Sequence, residues 1–287
     1  MSNELTPIKA ANKLTRIVDT FYEAHGGDRF PVDVDKLAYG AAEIFQWDDP
    51  IETIIEASIP GFEGMLASNE NKTKWILAYN GSISSQGRIR FTKAHELGHY
   101  VLHRMKQSEF KCNKDDMLYL PDGVDIESQA DEFASYLLMP LNDFRNQVNA
   151  EIDLDVFGHC ADHYGVSLTS AILKWLSYTE EKAVLVMSND GFMSWASSSR
   201  PALRAGAFFR TKNNVIELPS GSLANNDRVA LDRVGARVPI KTWFPHADST
   251  SDLLEMKIFS EQYSCTLTLL LLPKSVDCSA PRSVIPF

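Results

Sequence analysis

Hydrophobic spacing along the chain changes period several times, and each change marks an element. Over residues 7–25, apolar side chains recur at Ile8, Ala11, Leu14, Ile17, Val18 and Phe21 or Tyr22, the stripe of an amphipathic helix. Gly26 and Gly27 stop it. Residues 32–41 predict a short second helix. The spacing then turns to strands at 51–57, 64–67 and 74–79, with the polar cluster 68–72 as a hairpin turn between the last two. Helical spacing returns at 91–104 and at 126–139, where Pro140 ends the run, and again at 154–164 and 168–176, joined around Gly165. Residues 106–125 are polar with no clean period and read as a loop. After Tyr178 the texture is that of short strands: 183–187, 192–196, 206–210, 215–218, 238–244, 254–259 and 265–272. The pattern predicts an α+β protein of two domains. Residues 1–180 are mostly helical with a small sheet, and residues 181–287 are strand-rich.

Composition narrows this. The chain has 287 residues, of which 44% are hydrophobic, enough to bury a core in each of two modest domains. The N-terminus lacks a signal-peptide pattern, and no apolar run reaches the roughly 18 residues of a membrane span, so a cytoplasmic protein without membrane association is expected. Cys112, Cys160, Cys265 and Cys278 are far apart and, in a reducing compartment, read as free thiols. The net charge of −10 argues against whole-chain attraction to nucleic acid. It is uneven: residues 1–180 carry 16 basic and 28 acidic side chains, while residues 181–287 carry 12 and 10.

The sharpest chemical signal is His95-Glu96-Leu97-Gly98-His99 on a predicted helix. Residues four apart share a helix face, so both imidazoles can reach one ion. Zinc takes imidazole and carboxylate, and in catalytic sites it keeps a position open for water. Glu96, beside the first imidazole, can reach that water, take its proton and pass it to a leaving amine. A third ligand is needed, and the helix at 126–139 offers Glu127 and Asp131, four apart on one face. Glu127 suits the metal, and Asp131 suits the free nitrogen of a ligand imidazole. Both also fit as solvated carboxylates favoured at a helix start.

The segments Arg90 to His99 and Glu127 to Pro140, read as RFTKAHELGH and ESQADEFASYLLMP, closely resemble the ImmA/IrrE family of bacterial metallopeptidases. The resemblance runs over about residues 8 to 178 in order of elements. It implies a zincin-like fold, Zn2+ as cofactor and Glu127 as third ligand. It also implies a protein substrate, a helix-turn-helix repressor encoded nearby, whose cleavage derepresses a mobile-element, DNA-damage or anti-phage defence operon. Several members carry a C-terminal GAF-like sensor domain, which residues 181–287 would match.

Other residues carry two readings each. Cys112, in the expected loop, is either a candidate inhibitory zinc ligand filling the open position or an ordinary free thiol. His103 shares the helix face of His99 and reads as packing or as support to it. His159, His163 and Tyr164 are candidate oxyanion donors or helix-surface residues. Residues 64–67 or 74–79 are candidate exposed edges for an extended substrate, or fully paired strands. The helices at 154–176 resemble a helix-turn-helix pair or complete the peptidase fold. Residues 200–241 hold eight basic and three acidic residues. Arg200, Arg204, Arg210 and Lys212, with Trp195, Phe208, Phe209 and Trp243 nearby, can bind a small anionic effector or single-stranded DNA, or are simply a solvated basic face. The function expected is signal-gated zinc-dependent proteolysis of a repressor. The competing expectation is a non-catalytic, metal-stabilised sensor that regulates a transcription factor by binding.

Overall fold

The structure, a computed structural model, describes residues 5–58, 61–113, 126–148 and 152–279. The chain folds as two compact units, Met1–Asn149 with His159–Ser170, and Ala150–Gly158 with Ala171–Phe287.

The first unit opens with α1 (Pro7–His25) and α2 (Val34–Phe45), followed by β1 (Ile51–Ala57), β2 (Phe62–Ser68) and β3 (Trp75–Asn80). Then come α3 (Gln86–His103), β4 (Glu109–Asn113), α4 (Ile126–Leu138) and α5 (Leu141–Gln147). Next, α6 (Leu154–Tyr164) and α7 (Leu168–Leu176) contribute residues to both units. Thr6 caps α1 by accepting the amide of Lys9, and Pro7 occupies its first turn, where a missing N–H costs nothing. Its buried face, Ala10, Ala11 and Leu14, is flat enough for α4 to lie against it. Among the described residues the sheet order is β1-β3-β2-β4, with β1 and β3 parallel and the other pairs antiparallel. One face of this sheet covers α3, and Leu66, Trp75, Leu77, Leu97, Tyr100 and Phe133 are fully buried.

The second unit contains β5 (Lys182–Asn189), β6 (Phe192–Ser198), α8 (Arg200–Arg204), β7 (Leu231–Pro239), α9 (Ile240–Trp243), β8 (Asp252–Ser260) and β9 (Cys265–Leu272). Its sheet is antiparallel in the order β6-β5-β9-β8-β7. Val184, Val186, Trp243, Phe244, Leu253 and Leu270 are core residues of this unit. Glu255 is fully buried there, and its carboxylate accepts from the Ala224 amide at 2.6 Å and from Trp243 Nε1 at 2.8 Å. Burial pushes its pKa up, and those donors hold it back.

The architecture is mixed α+β, as the hydrophobic periods predict, with these differences. The expected loop at 106–125 contains β4, and residues 114–125 lie outside the described residues. In β4, Phe110 and Cys112 turn inward, and the outward Glu109 and Lys111 mask a two-residue period over so short a run. Neither 64–67 nor 74–79 is an exposed edge, because β2 pairs with β3 and β4, and β3 with β1 and β2. Residues 206–210 are not a strand: Gly206 takes φ +74°, and its backbone packs so closely on Ser279 that a Cβ would lie 2.7 Å from it. Residues 215–218 make one isolated bridge, Phe192 with Glu217. Residues 238–244 are not one strand either, since Pro239 ends β7 and α9 turns Ile240 and Trp243 into the core. The helix α5 is too short and too polar, with Phe144 alone buried, for its period to be read. Among the described residues, no helix is long and apolar enough to cross a membrane.

Candidate metal centre

Ser85 caps α3 by accepting the Arg88 amide at 3.2 Å. From there the helix passes beneath β2, and His95, Glu96, His99 and His103 have no exposed surface. Four buried polar side chains in a row are costly unless paired, so their partners define the site.

Two glycines permit the approach. A Cβ on Gly98 would lie 3.0 Å from Phe133 Cδ1 and 3.1 Å from the Ala130 Cα and carbonyl oxygen, so the bare backbone lets α4 press against α3. On the other side, a Cβ on Gly64 of β2 would lie 2.6 Å from Glu96 Oε1 and from Thr92 Cγ2. Gly64 stands opposite Cys112 in the β2–β4 ladder, so the strand that crosses closest to α3 also sets the thiol over it. Gly98→Val forces α3 and α4 apart. The expected cost is about 1–3 kcal/mol of stability from overpacking, with weaker metal retention, read by urea unfolding and by chelator competition.

Four side-chain atoms converge between these elements: His95 Nε2, His99 Nε2, Cys112 Sγ and Glu127 Oε2. The three N and O atoms stand 3.0, 3.1 and 3.2 Å apart, and the sulfur lies 3.1 Å from His95 Nε2, 3.8 Å from His99 Nε2 and 3.7 Å from Glu127 Oε2. Donors bound tetrahedrally to one ion at 2.0–2.3 Å stand about 3.3–3.6 Å apart, close to all of these separations. The cluster can therefore hold one metal ion.

The outer contacts fix orientation. His95 Nδ1 lies 2.8 Å from Asp131 Oδ1, which turns Nε2 inward with its lone pair free. Phe110 stacks on the His99 ring with centroids 4.6 Å apart. Burial opposes charge on His95, yet Cys112 and Asp131 outweigh it and raise its pKa well above the ordinary histidine value. Burial lowers His99 to about 4, so it stands as a neutral imidazole. Burial works to raise Glu127, but bonds to His95 and His99 prevail and hold its carboxyl well below the usual range. Burial pushes the Cys112 thiol far up, so only a strong positive charge would make it a thiolate.

Glu96 stands apart from this pairing. Burial pushes its carboxyl up to about 7 against the pull of His95 and of the neighbouring Cys112 thiol, and neither oxygen makes a hydrogen bond of good geometry among the described residues. A carboxyl near neutrality can both accept and release a proton.

The sequence-derived candidates divide. His95, His99, Glu127 and Cys112 form the cluster, Asp131 abuts it through His95, and Glu96 lies buried at its side. His159, His163 and Tyr164 are not among the four donors. The Tyr164 hydroxyl donates to Asp143 Oδ2 at 2.6 Å, His163 Nε2 lies 3.5 Å from the same oxygen, and His159 Nε2 donates to Gln147 Oε1 at 3.3 Å. In the second unit, Arg200 and Arg204 begin and end α8, Lys212 sits in a short 3-10 helix and Arg210 lies over the Phe208 ring at 5.5 Å, all four cations exposed. Sequence reasoning passed over Gly64, Phe110 and Gln129. The first two have no motif around them, and Gln129 lies within the matching helix with no signal of its own.

Among curated proteins, none matches the chain. A solved structure titled "Mycobacterium tuberculosis transcriptional regulator" aligns at 11% identity with a TM-score of 0.45, over 91% of this chain and 87% of that one. Residues 49–175, which include β1 to β4, the helix pair α3 and α4 and all four converging donors, match the peptidase M78 family model described as the IrrE N-terminal-like domain. Over residues 49–175 this chain is therefore similar to the IrrE N-terminal-like domain.

Proposed function

We propose that residues 1–180 form a zinc-dependent endopeptidase domain that cleaves a helix-turn-helix repressor encoded nearby, and that residues 181–287 form a GAF-like regulatory domain. Repressor cleavage would switch on a stress, mobile-element or anti-phage defence operon in the cytoplasm. The observation that carries this reading is the convergence of four lone-pair-bearing atoms with every pair 3.0–3.8 Å apart. One metal ion at their centre would satisfy all four at once.

Zinc, when bound, acidifies water and polarises a peptide carbonyl. His95, His99 and Glu127 hold it, and Asp131 keeps the His95 Nε2 lone pair inward. Glu96 takes the proton of the attacking water and delivers it to the departing amide nitrogen. His159, His163 or Tyr164 would serve as oxyanion donor, with Tyr164 held by Asp143 and His159 by Gln147.

Cys112 as fourth donor closes the coordination sphere, which is the mark of a structural zinc site and favours a second reading, a metal-stabilised sensor without catalysis. Glu96 argues for catalysis: a buried carboxyl with no well-formed hydrogen bond among the described residues costs stability and serves no structural site. We reconcile the two by a held-off enzyme, in which an anionic effector, single-stranded DNA being one candidate, acts at the exposed Arg200, Arg204, Arg210 and Lys212 and leads to release of Cys112.

The test is co-expression with the adjacent repressor. Cys112→Ala should cleave it without any signal, at least tenfold faster than wild type, and a chelator should stop both. Unchanged basal cleavage in Cys112→Ala would remove the held-off mechanism. Zinc uptake without cleavage by either protein would favour the sensor.

A further inference from the structure

His99 and His95 present the same atom to the cluster, but the groups behind them differ. Behind His95 stands a carboxylate, Asp131. Behind His99 stands a second imidazole: His99 Nδ1 lies 3.1 Å from His103 Nδ1, and His103 Nε2 lies 3.2 Å from Gln129 Oε1.

The tautomers follow from these contacts. A neutral imidazole carries one N–H, and for His99 Nε2 to offer a lone pair to a metal that N–H must sit on Nδ1. His103 Nδ1 must then accept, which places the His103 proton on Nε2, where Gln129 Oε1 is an acceptor. The opposite chain, with His103 donating from Nδ1, would put the His99 proton on Nε2, in the middle of the donor cluster.

We propose that His103 and Gln129 form a neutral relay that fixes His99 in its metal-binding tautomer, making His103 a positioning residue. The proposal rests on the zinc reading above. The relay has a physical reason to be neutral. Glu127 and a metal-bound Cys112 thiolate would already balance the two charges of zinc, with Glu96 and Asp131 close by. A further carboxylate behind His99 would add uncompensated buried charge. It also has a structural consequence. Gln129 lies on α4 between Glu127 and Asp131, so one helix supplies the third ligand and the groups that orient both histidines. All of them are in place only when Gly98 lets α4 sit against α3.

Zinc affinity by chelator competition, alongside 15N spectra of histidine-labelled protein, decides the matter for wild type, His103→Leu and His103→Asn. Leu fills space without an acceptor, whereas the Asn oxygen can stand where His103 Nδ1 does. His103→Leu should weaken zinc binding by about 10–100-fold, and His103→Asn should restore most of it. In the spectra, wild-type His99 should be a single Nδ1–H tautomer that becomes mixed in His103→Leu. Equal weakening by Leu and Asn, or none by either, would overturn the relay and leave His103 a packing residue. If wild type takes up no zinc, the zinc reading fails, and the metal-free spectra decide the relay alone. A His99 tautomer unchanged in His103→Leu overturns it, and a mixed one supports it.

Discussion

Glu96→Gln is expected to lower repressor cleavage by about 10²–10⁴-fold while zinc stays bound at one ion per chain. The amide has nearly the shape of the carboxyl but cannot take up a proton, so the loss falls on the proton-transfer step, about 3–5 kcal/mol of barrier. Unfolding cannot explain it. Glu96 has no exposed surface, and burial raises its carboxyl to about 7, so above that pH the folded protein bears an ionised group it disfavours. Gln removes that cost. The sign is fixed by linkage: a carboxyl with a raised folded pKa takes stability away as pH rises through that value, so the metal-free variant should be at least as stable as metal-free wild type at pH 8. Cleavage rate, zinc content and thermal unfolding on the same preparation check all three statements. A variant that keeps cleaving would remove Glu96 from the reaction.

Removing the metal is expected to have the second largest effect. His95, His99 and Glu127 come from two helices and Cys112 from a strand, so an ion at their centre ties α3, α4 and β4 together. Free zinc at about a thousand times its dissociation constant would add about 4 kcal/mol to the stability of the folded state. A chelator should remove that increment from wild type, lower its unfolding temperature and leave it inactive. His95→Ala, which deletes a ligand and leaves Asp131 without its imidazole, should unfold near the metal-free wild-type temperature with or without zinc. Zinc that stabilises wild type and His95→Ala equally would place the ion elsewhere.

The parts of this site that were legible in the sequence are those whose geometry is set within one helix. His95 and His99 lie four apart on α3, and Glu127 and Asp131 lie four apart on α4, so helical spacing alone places each pair on one face. The pairing of the two helices came from the family resemblance rather than from spacing. What spacing could not supply depends on approach between elements. Gly98 reads as an ordinary motif letter until Ala130 and Phe133 are seen against it, and Gly64 reads as a weak strand residue until Glu96 is seen beneath it. Cys112 was singled out for its chemistry, but its place opposite Gly64 comes from a ladder whose strand, β4, is too short and too charged to recognise. The same limit governs the second unit. Its regular strands, β5, β6, β8 and β9, stand where short apolar runs between turn residues put them, while Gly206 and Pro239 redirect segments whose composition alone suggests strands.

X-ray absorption at the zinc edge of the purified wild-type protein tests the central claim most directly. The account predicts one zinc per chain with one sulfur at about 2.3 Å and three nitrogen or oxygen ligands at about 2.0–2.1 Å, the sulfur signal vanishing in Cys112→Ala while the ion remains. A protein that takes up no zinc, or a shell whose sulfur survives in Cys112→Ala, would contradict it.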